Sequence, residues 1–71
     1  MGYNVSNDKI AADIDRWING RNAERDRVIL KRRMIDGLTF DKLAAEFEMS
    51  RNGVQRIIYK RSQQLFSHVA Y

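Results

Sequence analysis

The amino-acid sequence predicts an all-α fold of four helices joined by short turns. Three observations favour this class. Apolar residues recur at three- and four-residue spacing along most of the chain, which is the period of a helix with a buried side. Proline is absent, and no strand-like alternation of apolar and polar residues extends beyond a few positions. The predicted helices cover residues 7–19, 22–36, 39–48 and 50–67.

Length and composition limit what the chain can be. Its 71 residues suffice for one small domain, which buries only about 60% of its unfolded surface on folding. The chain has no cysteine and one histidine, so neither a disulfide nor a structural zinc site is expected. No run approaches the roughly 20 apolar residues of a membrane span, and the N-terminus lacks a signal-peptide pattern. We therefore expect a cytoplasmic protein that does not contact a membrane.

The first predicted helix carries one apolar stripe. The first five residues show no periodicity and are expected to be frayed, and Ser6 or Asn7 then caps the helix. The stripe consists of Ile10, Ile14, Trp17 and Ile18. It is covered either by the rest of the domain or by a second copy of the chain. In the second case Ile14, Trp17 and Ile18 form a homodimer seam, with the tryptophan as its anchor.

The second predicted helix is apolar on two sides. Asn22 is its expected N-cap, and Gly37 follows its end. Leu30 lies on one side and Val28 on another, more than about 90° away around the axis. A helix with two apolar sides is usually contacted from both, so we expect it between the first helix and the last two. Its remaining face carries Arg21, Arg25 and Arg32, with Arg33 nearby.

Residues 39–59 contain two predicted helices with a very short connection. Only Glu48, Met49 and Ser50, which include the last residue of one helix and the first of the next, are free to form the turn, so the helices must cross steeply. Ser50 is a good N-cap for the second helix, and Met49 is expected to fill the gap between the two. The expected inner contacts of the pair are Leu43, Phe47, Met49, Val54 and Ile57.

This pair resembles the helix-turn-helix of DNA-binding proteins. Residues 24–65 are similar to region four of bacterial sigma factors and to small phage or mobile-element regulators that share its pattern. The most specific part is Asp36-Gly37-Leu38-Thr39-Phe40 followed by Lys42-Leu43-Ala44. The family often has glycine where this chain has Glu48, which must therefore tolerate a less favourable backbone conformation. The resemblance implies a three-helix core at residues 22–67, preceded by an N-terminal helix in residues 1–20.

Positive charge is concentrated on the second and fourth predicted helices. The net charge of the chain is +4. Residues 21–36 carry six basic and three acidic residues, and residues 50–71 carry four basic residues and no acid. A polyanionic partner explains that distribution, and a solubilising basic face is the alternative. The side of the fourth helix opposite Val54 carries Asn52, Gln55, Arg56, Tyr59, Lys60 and Gln63.

These side-chain types read base edges in double-stranded DNA. Arginine pairs with guanine, and asparagine and glutamine pair with adenine, each good contact discriminating by about 1–3 kcal/mol. Recognition helices read with their N-terminal part. The predicted base contacts are therefore Arg51, Asn52, Gln55 and Arg56. Predicted contacts to the DNA backbone are Ser50, Tyr59 and Lys60. The sigma-like resemblance adds Thr39, Lys42, Arg32 and Arg33 to the backbone contacts. Thr39 is also the expected N-cap of the third helix, and capping alone is its alternative role.

Three residues near the C-terminal end have open alternatives. Arg61 interrupts the apolar side of the fourth helix, and it either extends outward or pairs with an acid such as Asp41 or Glu46. Phe66 and Tyr71 either contact the first helix or join a dimer seam. The amino-acid sequence leaves both choices open.

Catalysis is not expected of this chain. His68 stands alone, without a nucleophile or second base placed to work with it, and is predicted to be a surface histidine. No phosphate-binding glycine loop and no cluster with metal-ligand spacing is present in the sequence. We therefore expect no enzyme activity, no cofactor and no metal.

Three functions fit these expectations. The first is sequence-specific binding of double-stranded DNA by a small bacterial or phage regulator of transcription. The second is a protein-interaction module that docks on RNA polymerase or on a sigma-like partner. The third is an accessory protein of DNA packaging or recombination. Whether the chain works as a monomer or as a homodimer is left open.

Overall fold

The described part of the protein is all-α. The computed structural model describes residues 6–71, which contain four helices and no strand. The helices are α1 (Asn7–Trp17), α2 (Ala23–Met34), α3 (Phe40–Phe47) and α4 (Arg51–Phe66). Every predicted helix is confirmed, with ends that differ by up to two residues. None of the four combines the length and the apolar character that a membrane span requires. The frayed start expected for residues 1–5 lies outside the described residues.

Side-chain caps explain where three of the helices begin. Ser6, Thr39 and Ser50 each accept a hydrogen bond from the backbone N–H three residues further on, at 3.2, 3.2 and 3.0 Å. The caps predicted at Thr39 and Ser50 are confirmed, and of the two alternatives predicted for the first helix, Ser6 and Asn7, Ser6 is the cap. The side-chain cap predicted at Asn22 is wrong. Asn22 has a left-handed backbone, with φ 60°, and its side chain makes no capping hydrogen bond. A residue whose side chain caps a helix normally has an extended backbone, which Asn22 lacks.

The core consists of two groups of buried side chains, and α2 contributes to both. The α1 cluster contains Ile14, Ile18, Leu30 and Leu65. The α3 cluster contains Ile29, Leu43, Ala44 and Val54. The side chain of Ile58 packs against both clusters from α4. The central position predicted for the second helix is therefore confirmed.

The side chains that α2 contributes differ from the prediction at one position. Leu30 belongs to the α1 cluster and Ile29 to the α3 cluster, and both are fully buried. Val28, predicted to fill the second apolar side, is 44% exposed, so that prediction is wrong. Successive residues of a helix lie about 100° apart. The adjacent pair Ile29–Leu30 therefore reaches both clusters, and Val28 is turned towards solvent.

The same chain covers the apolar stripe of α1. Ile14 and Ile18 have no exposed surface, and Ile10 and Trp17 pack against the same cluster. Ile14 and Ile18 consequently have no surface to contribute to a seam between two copies. The Trp17 ring is stacked on the ring of His68, with 3.9 Å between centroids and 6° between planes. His68 is exposed, as predicted, but it covers the tryptophan.

The last residues of the described chain return to α1. Val69 and Tyr71 pack against the α1 cluster, and the Tyr71 hydroxyl donates a hydrogen bond to Asp13 Oδ2 at 2.8 Å. The rings of Tyr71 and Phe66 meet edge to face, with 5.8 Å between centroids. Of its two predicted alternatives, Tyr71 therefore takes the contact with the first helix. Phe66 remains half exposed.

A buried ion pair joins α4 to α2. Arg61 Nε donates to Asp26 Oδ2 at 2.7 Å, and the two residues are 7% and 5% exposed. The other Arg61 N–H groups donate to the backbone oxygens of Asn19 and Arg21, at 3.0 and 2.8 Å. A further bond reaches Gln64 Oε1 at 2.8 Å. One guanidinium therefore fixes α4 to α2 and to the loop between α1 and α2.

The partners predicted for Arg61 are wrong. Asp41 pairs with Arg51, and Glu46 pairs with Arg32. Arg61 lies on the core side of α4, and the acid that faces this side belongs to the first turn of α2. No buried side-chain nitrogen or oxygen within residues 6–71 lacks a hydrogen-bond partner. The pair is therefore fully satisfied despite its burial.

Replacing Arg61 by alanine should lower the free energy of unfolding by about 3–5 kcal/mol. The buried Asp26 carboxylate then loses a hydrogen-bond donor, and so do the backbone oxygens of Asn19 and Arg21. Urea denaturation followed by circular dichroism measures the change. The control is Lys60→Ala, which removes an exposed positive charge one residue away and should change stability by less than about 0.5 kcal/mol. Equal effects of the two substitutions would contradict the role given to Arg61.

The contact between Tyr71 and Asp13 should make stability depend on pH at both extremes. Burial, with the bond to Asp13, raises the pKa of Tyr71 to about 12 from 10.0, so its stabilisation is complete below pH 10 and is lost as pH rises through 12. The Tyr71 hydrogen bond, with help from Lys9, lowers the pKa of Asp13 below 3.8. The stabilisation from Asp13 is therefore complete above pH 3.8, the ordinary pKa of the group, and is lost as the pH falls through the lowered pKa of the folded protein.

Urea unfolding of the parent and of Tyr71→Phe at pH 3, 7 and 11.5 tests this linkage. The parent should be more stable than the variant at pH 7, and the difference should shrink at both other values. Tyr59→Phe is the control, because the Tyr59 hydroxyl is exposed and accepts only from Gln63 on the same helix. A difference between the parent and Tyr71→Phe that stays constant with pH would contradict the contact.

Candidate nucleic-acid interface

A tight turn connects α3 to α4. Glu48 ends α3 with φ 54° and ψ 48°, which is the left-handed conformation that glycine tolerates best. The unfavourable backbone predicted at this residue is confirmed. The backbone N–H of Met49 donates to Ala44 O at 2.9 Å, and Ser50 then caps α4. The chain thus changes direction within three residues.

The inner contacts of the α3–α4 pair are those that the sequence predicts. Leu43 and Val54 are fully buried, and Phe47, Met49 and Ile57 pack partly buried against the α3 cluster. These contacts hold one side of α4 against the rest of the chain. The opposite side is consequently left to solvent.

Gly53 allows the turn to pack closely on the first turn of α4. A Cβ atom at this position would lie 3.1 Å from Ser50 Oγ and 3.4 Å from Met49 Cε. Its backbone N–H donates to Ser50 Oγ at 3.0 Å. The absence of a side chain at Gly53 therefore leaves room for the Ser50 cap and for the Met49 side chain.

All four predicted base-contact residues lie on the exposed side of α4. Within residues 6–71, no segment buries any of them. Arg51 Nε lies 3.3 Å from Asp41 Oδ1, and the two side chains are 60% and 79% exposed. An ion pair so exposed is worth at most about 1 kcal/mol, so Arg51 can exchange it for another partner. The four residues are Arg51, Asn52, Gln55 and Arg56.

The N-terminus of α4 differs electrostatically from those of the other described helices. Each of α1, α2 and α3 has at least one acid in its first turn, whereas α4 has none. The partial positive charge of this helix end is therefore not neutralised by its own first turn. The end of α4 that carries the predicted base contacts thus favours an anion nearby.

Five of the predicted backbone contacts are exposed, two of them on or beside α3 and three on or beside α4. Thr39 and Ser50 stand at the starts of α3 and α4, where their hydroxyls already serve as caps. Tyr59 is 67% exposed, and its hydroxyl accepts from Gln63 Nε2 at 3.1 Å. The five residues are Thr39, Lys42, Ser50, Tyr59 and Lys60.

The other two predicted backbone contacts are occupied within the chain. Arg32 Nε donates to Glu46 Oε2 at 3.0 Å, and this bond raises the pKa of the Arg32 guanidinium. Arg33 donates to Leu38 O at 2.8 Å, and its guanidinium lies 4.5 Å from the centroid of the Phe40 ring. Arg33 therefore holds α2 against the start of α3, and Arg32 holds α2 against the C-terminal end of α3. Their contact with DNA stays a prediction.

An open groove of about 510 Å³ borders the exposed face of α4. It is lined by Phe40 at the start of α3 and by five residues of α4, namely Gln55, Arg56, Ile58, Tyr59 and Ser62. Sequence reasoning placed none of Phe40, Ile58 or Ser62 at the interface. Their position depends on how α3 crosses α4, which helical period alone does not determine.

Neither a metal site nor a known relative bears on this surface. Within residues 6–71, no group of three or more His, Asp or Glu side chains lies close enough to hold a metal ion. Comparisons with protein-family models, with curated proteins and with solved structures find no match to this chain. The fold and the surface define an all-α protein whose longest described helix exposes a polar, basic face.

Replacing Glu48 by glycine should raise the free energy of unfolding by about 0.5–1 kcal/mol, because glycine adopts the left-handed backbone without steric cost. The control Glu48→Gln removes the same charge but keeps the strained conformation, and should change stability by less than about 0.5 kcal/mol. Urea midpoints of the three proteins measure both effects. A glycine variant less stable than the glutamine variant would contradict the turn geometry.

Proposed function

We propose that this chain is a helix-turn-helix protein that binds double-stranded DNA with α4 in the major groove. One observation carries the proposal. Arg51, Asn52, Gln55 and Arg56 are all exposed on one helix, while the opposite side of that helix is fixed in the core. These residue types form bidentate bonds with guanine and adenine. The face therefore has both the chemistry and the access that direct reading of bases requires.

The dimensions of α4 fit this role. The helix has 16 residues, which corresponds to a length of about 24 Å. A major groove about 12 Å wide accepts one such helix. Its N-terminal half carries the four predicted base contacts, and its first turn contains no acid. The same half is the part that recognition helices present to bases.

Contacts to phosphates and contacts to bases have different roles in the proposed complex. Lys42 of α3 and Lys60 of α4 are exposed cations, and Thr39, Ser50 and Tyr59 offer hydroxyl groups. Such contacts set affinity and its salt dependence, but they carry no direct sequence information. Arg32 and Arg33 join them only by giving up Glu46 and Leu38 O. We propose regulation of transcription as the setting in which a small DNA-binding chain of this kind works.

A second candidate function is docking on a protein such as RNA polymerase, and one observation favours it. The groove beside Phe40 offers an apolar wall next to Ile58, which suits an apolar side chain of a partner. The same groove is compatible with DNA, since the C5-methyl group of thymine also needs an apolar contact. Dependence on salt separates the two candidates.

Selection of bound duplexes from a random pool, followed by affinity measurements at 50 and 200 mM salt, tests the proposal. We expect one enriched sequence motif and a loss of affinity of at least about a thousandfold if six or more phosphates are contacted. Symmetric half-sites in the motif would indicate a dimer on DNA. A duplex affinity that does not change with salt would contradict the phosphate contacts. Failure to bind any duplex even at 50 mM salt would contradict DNA binding and favour the protein partner.

Two substitutions separate base reading from phosphate contact. Arg56→Ala should weaken binding to the selected site by about 5- to 150-fold, with a much smaller effect on unrelated duplexes. Lys42→Ala should weaken binding to the selected site and to unrelated duplexes about equally, because a phosphate contact carries no sequence information. Arg16→Ala is the control, because it removes the same charge from the exposed end of α1. If Arg56→Ala behaves like the control, α4 does not read bases as proposed.

A further inference from the structure

We propose that a cleft between the start of α2 and the middle of α4 binds a phosphate of the DNA backbone. This inference rests on the proposed function and adds a contact on the flank of α4 that faces away from α3. The cleft has a volume of about 240 Å³. A water molecule occupies about 30 Å³ of liquid, so the cleft accepts a phosphate group with part of its hydration.

The charge of the cleft is strongly positive. Its lining includes five of the thirteen basic residues of the chain and one of the nine acids, a net charge of +4. The remaining eight basic and eight acidic residues cancel, so the cleft accounts for the whole net charge of the chain. The charged lining residues are Arg21, Arg25, Asp26, Arg56, Lys60 and Arg61.

The one acid of the cleft is already neutralised. Arg61 Nε donates to Asp26 Oδ2 at 2.7 Å, and Arg25 Nε donates to Asp26 Oδ1 at 3.1 Å. Two guanidinium groups therefore share one carboxylate, and the three residues together keep one positive charge. Four of the five N–H groups of Arg61 donate to partners inside the protein, so its main role is to position the other residues of the cleft. An incoming phosphate meets no free carboxylate in the lining.

The loop that carries Arg21 is held in place. Arg61 donates to the backbone oxygens of Asn19 and Arg21, and Arg27 Nε donates to Ile18 O at 2.7 Å. The Arg21 guanidinium, by contrast, makes no ion pair with any acid among residues 6–71. The backbone is thus fixed while the charged group remains exposed, which lowers the entropic cost of binding.

The cleft opens beside the proposed base-reading face. Arg56 lines the cleft and also belongs to that face, and Lys60, the exposed cation one turn further along α4, lines the cleft as well. Gln55 and Lys60 lie about 140° apart around α4, and Gln55 borders the groove beside Phe40 instead. α3 and α2 therefore flank opposite sides of α4. A major groove is bordered by two phosphate strands, and the cleft is placed for the strand that α3 does not reach.

Salt dependence of binding tests the cleft separately from the proposed function. Arg21→Gln removes an exposed guanidinium whose side chain supports no other described contact, while the backbone oxygen that holds Arg61 stays. Arg16→Gln on α1 is the matched control. We expect Arg21→Gln to weaken binding to selected and unrelated duplexes alike, by about tenfold at low salt. The slope of log K against log salt should become shallower by about 0.9. The control should change neither quantity.

Each outcome decides the inference. If the parent binds duplex DNA and Arg21→Gln keeps both its affinity and its slope, the cleft does not bind a phosphate, and the proposed function stands. If only the selected sequence is affected, Arg21 reads bases and the phosphate assignment is wrong. If the parent binds polyglutamate but no duplex at any salt, an acidic protein is the occupant and both proposals fail. The double variant Arg21→Gln/Arg25→Gln should enlarge the loss, with its fold checked by circular dichroism.

Discussion

The arrangement of this protein depends on the buried pair between Arg61 and Asp26. The guanidinium is nearly inaccessible, yet each of its three nitrogen atoms has a partner: the carboxylate on α2, two carbonyls of the loop after α1, and Gln64. The pair fixes the rotation of α4 about its own axis, because turning the helix would leave a charge buried without a partner. That rotation determines which side chains of α4 face outward. A structural ion pair thus defines the surface on which the proposed function rests.

Hydrophobic contacts alone would fix the rotation of α4 about its axis less strictly than the ion pair does. Its apolar side consists of Val54, Ile57, Ile58 and Leu65, and Ile58 reaches both clusters of the core. Aliphatic side chains accept small rotations at modest cost, whereas hydrogen bonds to a guanidinium lose strength steeply with angle. Buried ion pairs add little net stability against apolar replacements of the same shape. We therefore infer that Arg61 contributes orientation of α4 more than it contributes stability.

The sequence predicted those features that depend on local order along the chain. Helix positions follow from apolar period, and Ser6, Thr39 and Ser50 follow from capping chemistry. The partner of Arg61 did not follow, because Asp26 lies 35 residues away and meets it only through the packing of α2 on α4. The exposed side of α4 was predictable from period, but the cleft beside it was not. A cleft between two helices depends on their crossing, which local pattern leaves undetermined.

Amide chemical shifts report, residue by residue, whether the outward face of α4 enters DNA as proposed. Proton–nitrogen correlation spectra of the labelled chain are recorded while a selected duplex is added. We expect the largest shift changes at residues 50–60, smaller changes at residues 21–25 and none along the exposed side of α1. Changes confined to α1 and residues 66–71, with α4 unmoved, would contradict that proposal.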